Sequence, residues 1–102
     1  MTETFYAIQQ ISTGKLMPTP TGRGGRGGTH VNFSDGGMPR LFREQHYAIT
    51  ALNWWLGGEV HVNYYQDHSG EYDEEWKVVK KADRDPTDCR VVEVNLTVVE
   101  GE

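Results

Sequence analysis

Two arginines set among glycines, in the run TGRGGRGGTH at 21–30, are the residues of this sequence most ready to do chemistry. Glycine leaves backbone N–H groups accessible, and Arg23 and Arg26 add fixed positive charge, a combination suited to cradling an anion. His30, Arg40 and Arg43 continue the basic stretch, so these five residues form the candidate anion- or nucleotide-binding set. The run lacks the lysine and Ser/Thr of a P-loop, and it does not sit between a strand and a helix as a dinucleotide fingerprint does. Arg-Gly-Gly repeats also mark RNA-binding segments, where aromatic residues interleave; none do here. A plain flexible loop is the competing reading.

Other chemistry finds less support. The four histidines include no His-x-His pair, His61 and His68 lie seven positions apart, and there is one cysteine, so they read as polar surface residues with no metal role. The segment DHSGEYDEE lacks the regular oxygen spacing of a calcium loop and reads as a solvated acidic turn. Ser12, Ser34 and Ser69 have no nucleophile elbow around them. Cys89 stands beside Asp88, and neighbouring acids raise a thiol's pKa, which disfavours a reactive thiolate. A non-enzymatic protein without a cofactor is expected.

A second candidate set comes from the aromatics and acids. NWWLGG and NYYQ hold adjacent ring pairs, and neighbours on a helix or strand cannot face the same side. One ring of each pair must therefore point away from the core, where exposed rings beside charge are the usual material of interface hot spots. Trp54 and Tyr65, with Asp67, Glu71, Asp73, Glu74 and Glu75, form the candidate protein-binding set.

The elements that must position these residues follow from periodicity. FYAIQQISTGKLMP reads as a hairpin over 4–18, turning at Gly14 and ended by Pro18 and Pro20, which have no N–H for a ladder. A glycine- and arginine-rich loop fills 19–39, with HVNF as a brief strand within it. Leu41, Ala48, Leu52 and Trp55, widened by Ile49, Ala51 and Leu56, make the apolar stripe of a helix over about 43–56, closed by Gly57 and Gly58. Strands are expected at 59–65, 75–81 and 90–99, the last turning Val92, Val94, Leu96 and Val98 inward. Clean alternation argues for antiparallel pairing with one wet face, carrying His61, Asn63, Tyr65, Glu93 and Thr97. The expected fold class is α+β: one twisted antiparallel sheet of four to five strands with one helix packed on one face. An exposed sheet edge would admit a homodimer.

A length of 102 residues allows one domain with a thin core, in which three Trp, five Tyr and three Phe supply much of the apolar area. No run approaches a membrane span, and a lone cysteine fits a reducing compartment, so a soluble cytoplasmic protein is expected. The net charge of −5 conceals a division: residues 12–43 hold five bases against one acid (net +4), and the remainder five bases against fourteen acids (net −9).

In style, the hairpin start FYAIQQISTGKLMP, then PRLF leading into HYAITALNWW, then charge-rich strands, resemble small accessory proteins encoded by bacteriophages and prophages. The resemblance implies an accessory role in the host cytoplasm, as an inhibitor of a host defence or host machinery protein that acts by binding. The residues suggest how: the acidic turn would occupy a basic, nucleic-acid-binding groove of the host protein, with Trp54 or Tyr65 as the desolvated anchor. Two alternatives stand beside it. One is a small-molecule binder whose Arg-Gly loop closes over an anionic nucleotide-like ligand. The other is a nucleic-acid-binding accessory protein, a reading opposed by the net negative charge.

Overall fold

The computed structural model describes residues 2–20, 28–66 and 72–99, and of 62–66 and 72–76 the backbone alone. Strand β1 (Thr2–Gln10) pairs antiparallel with β4 (Cys89–Thr97) over its whole length, from Thr2 opposite Thr97 to Gln10 opposite Cys89. Strands β2 (Glu59–Gln66) and β3 (Tyr72–Val79) form a second antiparallel pair. The α+β class is therefore correct, but the single sheet of four to five strands is not: two sheets of two strands each stand in its place. Alternation fixes which face of a strand is apolar and is silent on which strand lies beside it.

The expected hairpin over 4–18 turns where glycine permits, with Gly14 at φ 74° and the Gln10 N–H on Lys15 O at 2.9 Å. Its return is not a strand. Only isolated bridges form along that edge of β1, Gln9 with Leu16 and then Tyr6 with Phe42, because Pro18 and Pro20 follow at once and have no N–H for a ladder. HVNF is likewise no strand. Phe33–Asp35 is a 3-10 turn, and Asn32 N–H donates to Asp35 Oδ2 at 3.0 Å, a local bond that competes with ladder formation.

Helix α1 (Gln45–Gly57) begins two residues later than the apolar stripe suggests, with Glu44 still extended as its N-cap. It ends as expected: Gly58, at φ 121°, donates its N–H to Trp55 O at 3.1 Å. The core it covers is small. Ile8, Met17, Phe33 and Trp55 are buried together, flanked by Val31, Phe42, Leu52, Leu56 and Val91. The rings of Phe33 and Trp55 meet edge to face with centroids 5.4 Å apart, and Trp55 Nε1 donates to Val31 O at 2.7 Å, satisfying its polar tip.

Two facings differ from expectation. On β4, Cys89 and Val91 meet the core, whereas Leu96 and, just past the strand, Val98 are exposed, since the buried cluster sits at the end of the ladder where Ile8 pairs with Val91. Leu41 and Ile49 are also exposed, because Leu41 precedes the helix and Ile49 falls off the side that Trp55 buries. The wet face assigned to one sheet is divided, with His61, Asn63 and Tyr65 on β2 and Glu93 and Thr97 on β4. Among the described residues no helix is long and apolar enough to cross a membrane.

Candidate functional site

Successive helical residues diverge by about 100°, so burying Trp55 turns Trp54 out. Trp54 is 60% exposed, and Tyr47, two turns earlier on the same side of α1, is 55% exposed. A groove opens on each side of the Trp54 ring. One, of about 530 Å³, is walled by Arg40, Phe42, Arg43, Tyr47 and Ala51. The other, of about 320 Å³, is walled by Thr50, Asn53, Gly57, Val60 and Val78. The guanidinium of Arg40 lies 4.8 Å from the centroid of the Phe42 ring, and burial lowers its pKa without removing its charge. Rings and guanidinium groups thus line one groove together.

Beneath the C-terminal end of α1 lies a polar corner. Arg84, whose side chain is 1% exposed, donates from Nη1 to Trp55 O and from Nη2 to Thr29 O, both at 2.7 Å. Its guanidinium rests 4.3 Å from the Trp55 ring centroid, and Nη2 lies 3.7 Å from Glu59 Oε1. Burial lowers the Arg84 pKa, while Glu59 and Asp83 raise it. Glu59 also holds Lys81 Nζ at 3.5 Å on Oε1 and His61 Nε2 at 3.3 Å on Oε2. Burial alone would raise the Glu59 carboxyl; Lys81, His30 and Arg84 outweigh it and hold the group below its usual value. His30 Nε2 lies 2.8 Å from Val60 O, and the His30 and His61 rings meet edge-on at 4.7 Å. Burial first, then Asp88 and Asp85, pushes the Cys89 thiol up.

Of the candidate anion set, Arg40 and Arg43 share a groove with Trp54, while His30 faces the polar corner instead. Arg23 and Arg26 lie outside the described residues, as do Asp67 and Glu71. The side chains of Tyr65, Asp73, Glu74 and Glu75 lie outside them too; the ladder places these four on facing strands, Tyr65 opposite Asp73. A scan against family models and searches of curated proteins and of solved structures found no match for this chain. The structure therefore joins parts of two sets that the sequence kept separate. Tyr47 and Phe42 were missed, although the seven-residue step from Tyr47 to Trp54 marks a shared helix face. Glu59, Lys81 and Arg84 carried no signal, since each sits in a polar stretch that reads as strand edge or turn.

Proposed function

We propose that this chain is a non-enzymatic binding protein whose recognition surface is the Trp54 side of α1. The observation that supports it is the exposed Trp54 ring flanked by a groove on each side, with Arg40 and Arg43 along one wall. An indole that is desolvated on contact supplies the anchor, and the two guanidinium groups select acceptors beside it. The partner is a host protein, bound as a phage-type inhibitor binds its target. Its contact surface would offer an apolar side chain next to carboxylates for this face, and a basic groove for the acids at 67–75.

Affinity capture from host lysate tests this with three baits: the native chain, Trp54→Ala, and the triple variant Asp73→Lys, Glu74→Lys, Glu75→Lys. A stoichiometric partner should accompany the native chain and be lost with Trp54→Ala, whose melting temperature should stay unchanged because the ring is exposed. Full retention by Trp54→Ala would falsify the anchor, and full retention by the triple variant would remove the acids from the contact.

The same groove favours one second reading. Tyr47 and Trp54 beside Arg40 and Arg43 match an aromatic, anionic ligand of the nucleotide class, with stacking from the rings and charge from the arginines. A thermal shift on a nucleotide panel separates the two, since a ligand bound only by the folded chain raises its melting temperature.

A further inference from the structure

We propose a second site, distinct from the Trp54 surface: His30, Glu59 and His61 bind one divalent ion of the zinc class. One ligand atom from each of the three lies within 4.8 Å of the other two, and all three side chains are partly buried. Two imidazoles and a carboxylate are a donor set that zinc accepts in sites with an open fourth position. In tetrahedral zinc with ligand bonds near 2.05 Å, ligand atoms stand about 3.3 Å apart. His61 Nε2 and Glu59 Oε2 already stand 3.3 Å apart. Closing the site requires the His30 ligand nitrogen to approach by up to about 1.5 Å from the 4.8 Å limit to the tetrahedral spacing.

The surroundings are arranged as an outer shell would be. Ligating histidines commonly give their other ring N–H to a backbone carbonyl, which fixes the tautomer and the ring plane. His30 Nε2 does this with Val60 O at 2.8 Å, leaving the Nδ1 lone pair for the ion. Val60 is itself pinned, its N–H donating to Thr29 Oγ1 at 3.0 Å. Glu59 is held from behind: Lys81 and Arg84 both contact Oε1, so Oε2 is the oxygen turned toward His61. On binding, the ion replaces the contact between His61 Nε2 and Oε2, and neutral His61 then carries its proton on Nδ1. The two cations keep Glu59 ionised but repel a third positive charge. The site therefore takes an exchangeable ion.

Titration of the native chain with zinc chloride, and with Co²⁺ as a spectroscopic stand-in, tests the assignment. One equivalent should bind, raise the melting temperature, and with Co²⁺ give the visible absorption of a low-coordinate site with nitrogen and oxygen donors. His61→Ala is the main variant because its side chain is 40% exposed and the fold should survive its loss; affinity should fall at least tenfold. Glu59→Gln and His30→Ala should fall likewise, while His46→Ala and His68→Ala should match the native chain. Absence of one-to-one binding, native affinity in His61→Ala, or an equal loss in His46→Ala or His68→Ala each overturns the site.

Discussion

Arg84 shows how one side chain can organise a small protein. Its two short hydrogen bonds join the last turn of α1 to Thr29, and its guanidinium covers the Trp55 ring. Hydrogen bonds from charged donors contribute about 1.5–3 kcal/mol each. Arg84→Ala should therefore lower the unfolding free energy by about 3 kcal/mol or more, read from urea denaturation. Glu59, beside it, sets an acid limit. Its folded carboxyl binds a proton less readily than the unfolded one, so its contribution is present above the ordinary Glu value of about 4.3 and lost as pH falls through the depressed folded value. Stability measured from pH 6 down to pH 3 should decline, and Glu59→Gln should flatten that decline.

At the scale of elements, the junction between α1 and β2 is a tightly constrained piece of backbone. Gly58 has φ 121°, and a Cβ there would come within 2.8 Å of the Val79 carbonyl carbon. Gly57, one residue earlier, has open space around the same position. Gly58→Ala should cost at least about 1–3 kcal/mol, whereas Gly57→Ala should be neutral or gain up to about 1 kcal/mol from helix propensity. Chemical denaturation of the two variants, side by side, checks the contrast. This helix end was legible in the sequence, as was the outward turn of Trp54, because both follow from local geometry. Strand partners were not. Val92 and Val94 are half-buried as their alternation suggests, but Leu96 is exposed, because burial depends on where the Ile8, Met17, Phe33 and Trp55 cluster forms. The polar corner escaped for the same reason: His30 and Glu59 come from segments that meet only after folding.

The whole molecule is long for its size, with extents of 64 × 33 × 24 Å and a radius of gyration of 17.0 Å, against about 13 Å for a compact chain of this length. The two sheets share no ladder, and the described contacts that fasten the β2–β3 pair to the rest include the Glu59 carboxylate on Arg84, the Val60 backbone N–H on Thr29 Oγ1 and the His61 ring against His30. The candidate zinc ligands lie at this joint, so an ion held there would stiffen the link between two parts that otherwise meet over little area. Both proposals thus use surfaces that an incomplete core leaves behind: an unburied indole on one side and a polar seam on the other.

The pairing of β1 with β4 also orders events in time. During synthesis, Ala7 and Ile8 leave the ribosome long before Val91 and Val92, the residues that face them in the ladder. That ladder must wait until residues 89–97 have been translated, and until then a nascent chain carries β1 without its partner and open to chaperones or proteases.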